Sequence, residues 1–399
     1  MKFIKNIFDK NKPLFEKGGK LEKLMPLFET FETLFFVPDH VTPSRGVQIR
    51  DAVDLKRMMM TVIIAMVPAL LFGIWNVGYQ HGLATGQELG LSEQVWIGLL
   101  VTVPIIVVSY ASGLTVEFIF GIKKGHALNE GFLVSGMLIP LVVPPTIPLW
   151  QVALATVFAV LIGKEVFGGT GMNIFNVALT ARAFLYFAYP SQISGDVWTY
   201  LGDASVIDGF TGSTSLAIAN EASVAGTDVV AALGSANTAL SADFFSFSNL
   251  FFGFIPGSIG ETSALMSLIG AVILIYTGVG SWKIIVSVFG GAYLTALLFN
   301  AIGANEFMLM PAHYHLVIGG LAFGAVFMAT DPVSATQTER GKWIYGVLIG
   351  VLTILIRVFN PAYPEGIMLA ILLMNVFAPL IDFYVVKGNK QRRIQRATV

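Results

Sequence analysis

Long apolar stretches alternate with short polar ones along most of this chain. A membrane-spanning helix needs about 20 mostly apolar residues, and we identify ten segments with that character. They cover residues 58–78, 95–121, 131–146, 149–163, 173–189, 263–281, 283–301, 313–330, 343–359 and 365–386. A further apolar stretch, Phe244 to Pro256, is too short to cross a bilayer and is typical of a re-entrant or interfacial piece. The pattern predicts an all-α polytopic membrane protein with about ten transmembrane helices.

Composition favours lipid over a large soluble core. Hydrophobic residues make up 55% of the 399 positions and charged residues only 12%, against about 25% charged in soluble domains. Cysteine is absent, which excludes disulfides, thiolate metal sites and iron–sulfur ligation by this chain. The net charge of −1 gives no indication of nucleic acid, and none is expected as a partner. Residues 1–23 lack an apolar signal-peptide core, so no cleaved export signal is expected.

Lysine and arginine predict the orientation. Eleven of the 24 lie before the first span, and the basic loops and the basic tail after residue 386 then fall on that same side. No Lys or Arg occurs from Ala183 to Trp282. Because basic loops stay in the cytoplasm, both termini are expected to be cytoplasmic and the loop around 190–245 to face the periplasm of a bacterial inner membrane.

These features divide the chain into five parts. They are a cytoplasmic N-terminal segment (1–57), a first membrane repeat (58–189), a periplasmic loop with a re-entrant piece (190–262), a second membrane repeat (263–386) and a basic tail (387–399). The repeat is suggested by helices that begin at Trp150 and Trp343, each preceded by a proline-containing break. Five spans in each half would invert one half relative to the other, and matching breaks often mark a midplane site. Chance similarity between apolar helices is the equally weighted alternative.

One motif lies in the loop that lacks basic residues. It runs from Asp208 through Gly209, Thr211, Gly212 and Ser213 to Thr214. Such a hydroxyl-rich run is usually a flexible loop or a helix N-cap. Its two glycines would also let the backbone approach a bulky partner closely, and a threonine hydroxyl there could be esterified by phosphate.

This motif and several other blocks resemble the NqrB/RnfD family, whose members are the B component of sodium-translocating NADH:quinone oxidoreductases and the D component of Rnf complexes. The matching blocks are LFETFETLFFVP (27–38), RDAVDLKRMMMTV (50–62), PPTIPLWQ (144–151), KEVFGGTGMNIFNVALTARAFLYFAYPSQISGD (164–196), FGFIPGSIGE (252–261), FMATDPVSA (327–335) and NPAYPEGIMLAILLMNVFAPLID (360–382). The resemblance covers nearly the whole chain. It implies a urea-transporter-like fold of two inverted five-helix halves.

The resemblance also implies flavins. The family motif reads roughly Asp-Gly-x-Ser/Thr-Gly-Ala-Thr, and its final Thr carries FMN as a phosphoester that a flavin transferase installs. That residue is Thr214 here, and Ser213 stands where the family usually has Ala. The family also holds a noncovalent riboflavin. We assign it to the glycine-rich block at 168–176, where Gly171 permits close approach and Asn173 and Asn176 offer amide groups. A broken helix with Asn caps is the alternative for that block.

Ionisable residues inside apolar spans are functional or paired by default, because each costs about 3 kcal/mol in hydrocarbon. Arg182 and Arg357 are such residues, and for them an internal ion pair and a functional role have equal weight. The resemblance implies that Asp331 and Asp382 lie on the sodium path. It also implies that Gly113, Glu117 and Glu29 serve quinone, although Leu114 replaces a second family glycine.

Two further expectations concern the N-terminus and metals. Residues 21–37 show helical apolar spacing, which predicts an amphipathic surface helix that either anchors the chain or lines a quinone entrance. His313 and His315 do not share one helix face, so interfacial anchoring is expected there, and no metal is expected apart from transported Na⁺.

The resemblance therefore implies a flavin-carrying component of a sodium-pumping NADH:quinone reductase. It would pass electrons from FMN through riboflavin to ubiquinone or menaquinone, alongside the A, C, D, E and F components of a six-subunit complex. The D component of an Rnf ferredoxin:NAD oxidoreductase is an alternative that the 56-residue N-terminal extension disfavours. A urea-type channel or transporter on the same scaffold is a second alternative, and it would need no flavin.

Overall fold

The computed structural model describes residues 2–15, 19, 21–25, 28, 32, 36, 55–124, 131–202, 204–237, 240, 243–360 and 365–397. Within these residues the chain is helical and has no strand. The helices, numbered in chain order, are α1 (Lys2–Phe15), α2 (Leu55–Thr85), α3 (Leu91–Lys124), α4 (Gly131–Leu141), α5 (Leu149–Gly163), α6 (Val177–Ala188), α7 (Ser215–Ala225), α8 (Val229–Ser235), α9 (Phe247–Phe252), α10 (Ala264–Tyr276), α11 (Trp282–Ile302), α12 (Glu306–Leu309), α13 (Tyr314–Val317), α14 (Leu321–Phe323), α15 (Glu339–Phe359) and α16 (Ile367–Ala397). A π-helical turn, Gly324–Met328, continues α14.

The chain is a multi-pass membrane protein. Six helices are long and apolar enough to cross a bilayer, namely α2, α3, α5 (extended to Phe167), α11, α15 and α16. Three more apolar helices, α4, α6 and α10, are shorter than a bilayer is thick. Each of the ten predicted spans overlaps helix, but the segment 313–330 is split into α13, α14 and the π turn. The count of ten crossings therefore stays a prediction.

Lipid-facing and core-facing surfaces separate clearly on the long helices. Large apolar side chains such as Leu71, Leu100, Val272 and Leu294 are 58–67% exposed. On a soluble protein such exposed apolar surface would be unfavourable, whereas on a membrane-spanning helix it is the surface that contacts lipid.

Helix α4 ends inside the protein shortly before two prolines, and a distant loop donates hydrogen bonds to the backbone at its end. Proline has no N–H group and disfavours helix in the residue before it, and α4 ends at Leu141, shortly before Pro144 and Pro145. Two backbone bonds from the loop before α10 pair with this stretch instead, from Ile259 N to Val143 O (3.3 Å) and from Gly260 N to Leu141 O (2.8 Å). Backbone groups away from water need such partners, and the pairing fixes residues 255–262 deep in the molecule.

Helix pairing is similar in residues 58–189 and in residues 263–386. In the earlier range α5 packs against α3 and α6, and in the later range α15 packs against α11 and α16. Helix α2 packs against α10, which joins the two ranges.

Glycines bring α11 and α15 unusually close together. A Cβ atom on Gly346 would lie 1.9 Å from Ser287 Oγ, one on Gly350 would lie 2.3 Å from Val288 O, and one on Gly291 would lie 2.6 Å from Val347 O. Only glycine fits these contacts, because small residues let helix backbones approach each other in membranes.

The N-terminal segment differs from its prediction in one respect. The structure has α1 at Lys2–Phe15, which the sequence analysis did not identify. Phe28 packs on Phe15, with ring centroids 4.6 Å apart. Most of the amphipathic helix predicted at 21–37 lies outside the described residues.

Candidate functional site

The hydroxyl-rich motif forms the N-terminal end of α7. Thr214 is the N-cap residue, and its Oγ1 accepts a hydrogen bond from Ala217 N at 3.3 Å. Ser213 and Ser215 are buried, whereas Thr211 and Thr214 are partly exposed. The N-cap interpretation of the motif is confirmed, and it leaves Thr214 at the surface of a helix N-terminus.

Two residues outside the motif hold the loop before Thr214. Asp196 Oδ1 accepts hydrogen bonds from Thr211 Oγ1 (2.9 Å) and from Ser213 Oγ (2.5 Å). The Asn237 side chain accepts from Thr211 N (2.7 Å) and donates to Thr211 O (3.1 Å). Gly212 is needed where the loop passes Asp196, because a Cβ there would lie 2.7 Å from Asp196 O.

Thr214 opens onto a cavity, called here the Thr214 cavity. Its lining joins the start of α7, the loop before α10 and the break between α13 and α14. The lining residues are Thr214, Ser215, Ile255, Pro256, Gly257, Ser258, Glu261, Thr262, Gly319, Gly320 and Glu365. The cavity therefore lies between the hydroxyl motif and the buried loop before α10.

A buried charge cluster lies beside this cavity. Arg182 on α6 donates to Glu261 Oε2 at 2.7 Å and lies 3.9 Å from Glu365 Oε1. Arg357 instead donates to the backbone carbonyls of His315 (2.6 Å) and Ile318 (2.8 Å). The ion-pair interpretation is thus confirmed for Arg182, while Arg357 satisfies carbonyls that the broken α13–α14 segment leaves free.

A second cavity, the Asp331 cavity, is lined by residues from both the 58–189 and the 263–386 ranges. Its polar lining comes from Ser135, Lys164, Thr170, Asn173, Asn176, Thr330 and Asp331, and its apolar lining from α2, α4, α10 and the π turn. Asp331 accepts hydrogen bonds from Val333 N (3.0 Å), Ser334 Oγ (2.9 Å) and Asn176 Nδ2 (3.4 Å). A sodium candidate and two riboflavin candidates therefore share one cavity.

The glycine-rich block makes a tight turn before α6. Gly168, Gly169 and Gly171 all have positive φ angles of 89–122°, which side chains other than glycine rarely adopt. Asn176 caps α6 by accepting from Leu179 N at 3.2 Å, and Asn173 donates to Phe175 O at 2.9 Å. The Asn-cap interpretation is confirmed for Asn176, while both amides remain at the cavity wall.

One of the two quinone candidates on α3 pairs with a residue that lines the Asp331 cavity. Glu117 is buried and pairs with Lys164, and Lys164 itself lines the Asp331 cavity. Gly113, one turn earlier, has no room for a side chain, because a Cβ would lie 1.9 Å from the Phe132 ring. The third quinone candidate, Glu29, lies outside the described residues.

Asp382 has a structural role that the sequence did not predict. Its carboxylate accepts from Gln337 N (2.8 Å), Thr338 N (3.0 Å) and Thr338 Oγ1 (2.5 Å). These bonds fasten α16 to the N-terminus of α15, where a negative charge is favoured. The carboxylate oxygens expected to take up sodium are thus engaged in capping a helix.

Two substitutions at Asp382 distinguish capping from ion binding. We expect Asp382→Asn, which keeps one acceptor oxygen, to lower thermal stability less than Asp382→Ala, which loses about 1–3 kcal/mol of charged hydrogen bonding. Thermal unfolding in detergent and the sodium dependence of quinone reduction would be measured on both. A sodium affinity weakened equally in both variants at normal stability would assign Asp382 to the ion path.

His315 corrects one expectation. Interfacial anchoring was expected for the His313–His315 pair, but His315 is 1% exposed and packs on the Phe307 ring at 5.9 Å. The short α13 turns this side chain inward, and an apolar segment gives no sign of that break.

The sequence analysis missed four residues that shape these sites. Three of them, Lys164, Glu261 and Glu365, lie at span ends or in loops, where charged residues are common and indicate no special role. The fourth, Asp196, is one of several loop acids. The only available signal was that Arg182 and Glu117 in apolar spans each require a partner of opposite charge.

Comparisons with known proteins bear on the whole chain. A model described as the NQR2, RnfD, RnfE family matches residues 42–391. Curated proteins named as the B component of the Na(+)-translocating NADH-quinone reductase are similar over 98% of this chain. Those of Chromohalobacter salexigens, Yersinia pestis and Haemophilus influenzae are 48%, 47% and 43% identical, over 96%, 99% and 99% of their own lengths. The resemblance found in the motifs is thereby confirmed, and the chain belongs to the NQR2, RnfD, RnfE family.

Proposed function

We propose that this chain is the membrane flavoprotein component of a sodium-pumping NADH:quinone oxidoreductase. It would pass electrons from a covalent FMN through a riboflavin to ubiquinone or menaquinone, coupled to Na⁺ export. The observation that carries the proposal is full-length similarity to proteins named as the B component of that reductase. The other partners would be the A, C, D, E and F components, a flavin transferase, lipid and quinone.

Thr214 is the proposed attachment point for FMN, and the arrangement of the described residues fits that group. Thr214 has a partly exposed hydroxyl at the N-terminus of an 11-residue helix, and such termini favour phosphate. The hydroxyl also borders the Thr214 cavity, whose lining includes the backbone of Gly257, Gly319 and Gly320. A bound flavin would supply one- and two-electron chemistry, and this chain would hold it at a fixed depth.

The Asp331 cavity is the proposed riboflavin site. Its apolar walls suit an isoalloxazine ring, and the amides of Asn173 and Asn176 can bind the polar ring edge. Lys164 and Asp331 supply one charge of each sign at the wall. Glu117 on α3 forms an ion pair with Lys164 and offsets its positive charge. The Lys164–Glu117 pair therefore adds little net charge to the cavity.

Asn176→Ala tests the riboflavin assignment. We expect noncovalent flavin in the purified complex to fall, because the variant removes an amide from the cavity wall. The substitution also removes a helix cap worth about 1 kcal/mol. Asn305→Ala is the matched control, since Asn305 caps α12 by accepting from Met308 N at 2.8 Å and does not line the cavity. Equal flavin content in the two variants would refute the assignment.

Quinone and sodium roles are proposed for residues in and behind the Asp331 cavity. We propose that Gly113, Glu117 and Glu29 border the quinone site and that Asp331 and Asp382 lie on the sodium path. Asp331 offers carboxylate oxygens next to the Ser334 hydroxyl (2.9 Å), and oxygen ligands are what a hard cation accepts in exchange for water. Because Glu117 pairs with Lys164 at the wall of the Asp331 cavity, a charge that arrives at the quinone site would change the field at the ion.

The proposed topology has ten crossings in two inverted five-helix repeats, 58–189 and 263–386, with both termini cytoplasmic. Corresponding helix pairing in the two halves supports the repeats. We expect a periplasmic reporter to be active when fused in the α7–α8 turn at Gly226, and a cytoplasmic reporter when fused at Lys390. Cytoplasmic activity at Gly226 would reverse the orientation and remove the flavin from the periplasmic side.

The experiment that tests the function combines two measurements on the intact complex. The denatured band of this 43.0 kDa chain is expected to fluoresce under ultraviolet light, and the complex to reduce quinone faster with Na⁺. Peptide mass spectrometry would locate the flavin. Trypsin is unsuitable, because no Lys or Arg occurs from Ala183 to Trp282, so chymotrypsin is preferred. A chain without covalent flavin that still conducts a small solute would favour the channel alternative.

A further inference from the structure

The hydroxyl groups around Thr214 are not equivalent in the structure. The sequence places Thr211, Ser213, Thr214 and Ser215 within five residues, and any of these hydroxyls could in principle accept a phosphoryl group. Ser215 is 1% exposed and Ser213 is 8% exposed. Thr211 is partly exposed but donates its hydroxyl proton to Asp196. Thr214 is the partly exposed hydroxyl whose proton has no acceptor within the described part of the chain.

Asp196 is the common partner of the two competing hydroxyls. One of its oxygens, Oδ1, accepts from both Thr211 Oγ1 (2.9 Å) and Ser213 Oγ (2.5 Å). Hydrogen bonds to a carboxylate are stronger than those between neutral groups, so both hydroxyls are firmly engaged with Asp196. The same bonds also fix the backbone that leads into Thr214, and Ser213 N adds a bond to Thr211 Oγ1 at 3.2 Å.

We propose that Asp196 is a positioning residue for flavin attachment, which directs the transfer to Thr214 and away from Thr211 and Ser213. The proposal rests on the proposed function, because it presumes that a transferase attaches FMN to this loop. In that step Thr214 Oγ1 forms a bond to the FMN phosphorus of a flavin adenine dinucleotide. The bond between that phosphorus and the bridging oxygen breaks, AMP leaves, and the hydroxyl proton passes to a base of the transferase.

The geometry around Thr214 suits it to this step. Its oxygen already accepts a hydrogen bond from Ala217 N, and the other N–H groups of the first turn of α7 point toward the incoming phosphate. Asp196 provides no such help to Ser213, because a carboxylate 2.5 Å from that hydroxyl would repel a phosphate that approached it. The Asp196 carboxylate therefore disfavours attachment at Ser213 and helps to orient Thr214.

The test measures flavin attachment directly. The complex is produced in cells without the transferase and then treated with purified transferase and flavin adenine dinucleotide. In-gel fluorescence follows the initial rate, and chymotryptic peptides locate the flavin. We expect Asp196→Ala to slow attachment about tenfold, the effect of losing two hydrogen bonds, and to place part of the flavin on Ser213 or Thr211. Asp196→Asn keeps an acceptor oxygen and is expected to stay within about twofold of the natural rate.

The controls separate positioning from folding. Asp228→Ala removes another exposed loop acid, which caps α8 through Val230 N at 2.8 Å, and it is expected to leave rate and site unchanged. If Asp196→Ala does not assemble, Thr211→Val removes one of the two bonds without altering Asp196, and it is expected to slow attachment to Thr214. Adding Ser213→Ala to Asp196→Ala is expected to abolish flavin at position 213.

Two negative outcomes have different meanings. If the natural chain takes up no flavin at Thr214, the proposed function fails. If the natural chain is modified at Thr214 and Asp196→Ala or Thr211→Val matches it in both rate and site, the function stands and the role assigned to Asp196 is wrong.

Discussion

Thr214→Val is expected to abolish the fluorescent band of this chain and to stop electron delivery to quinone. Valine has almost the shape of threonine but has no hydroxyl, so no phosphoester can form. The change also removes the N-cap of α7, which costs about 1 kcal/mol. That is too little to prevent insertion, since α7 lies outside the long spanning helices. The protein should therefore be present in the membrane at a normal level and lack covalent flavin.

Two companion variants complete this experiment. Thr214→Ser keeps a hydroxyl at the N-cap and is expected to retain some covalent flavin. Ser213→Ala restores the residue usual in the family motif and is expected to retain all of it. If Thr214→Val keeps the flavin and Ser213→Ala loses it, the motif is displaced by one residue and the assignment of Thr214 is wrong.

Removing the carboxylate of Glu261 is expected to destabilise the protein severely. Glu261→Leu would remove the carboxylate that lies 2.7 Å from the buried Arg182 guanidinium and leave the more distant Glu365 at 3.9 Å. Breaking a buried ion pair from one side costs about 3–5 kcal/mol, because a charge remains without compensation. We expect a large drop in assembled complex and in thermal stability, measured by size-exclusion chromatography after stepwise heating in detergent.

Removing both members of the Arg182–Glu261 pair provides the decisive comparison. The double variant Arg182→Met with Glu261→Leu removes both charges and is expected to recover much of the lost stability, since apolar replacements of a buried pair are often neutral or better. Glu221→Ala, an exposed acid on α7, is the matched control and should behave like the natural protein. A double variant as unstable as Glu261→Leu would mean that the Arg182–Glu261 pair is not the source of the effect.

The sequence predicted the positions of the spans better than their form. Apolar length located α2, α3, α11, α15 and α16, because each is long and apolar enough to cross a bilayer as one continuous helix. It failed at residues 313–330, where the chain is as apolar as a span but breaks into α13, α14 and a π turn. Those breaks depend on Arg357, which reaches across from α15 and donates to His315 O and Ile318 O. A contact between residues 42 positions apart leaves no local signal.

The candidate sites divide in the same way. Motif resemblance selected Thr214, Asn176 and Asp331, and the structure places the last two in contact. It could not reveal that Asp196 or Lys164 supports these sites, because each acts through a partner that is distant in sequence. Hydrogen bonds between loops and spans are set by the tertiary arrangement, which one sequence does not display.

The glycine contacts between α11 and α15 limit how this protein can move. With backbones in contact at Gly291, Gly346 and Gly350, the two helices cannot slide or rotate past each other without collision, because closely packed surfaces have discrete arrangements rather than a continuous range. Any alternation of access to the Asp331 cavity must therefore occur without shear at this helix pair. The short helix α4 and the π turn both border the cavity, so we expect a crosslink between α11 and α15 to leave ion transport intact and one that ties α4 to the π turn to arrest it.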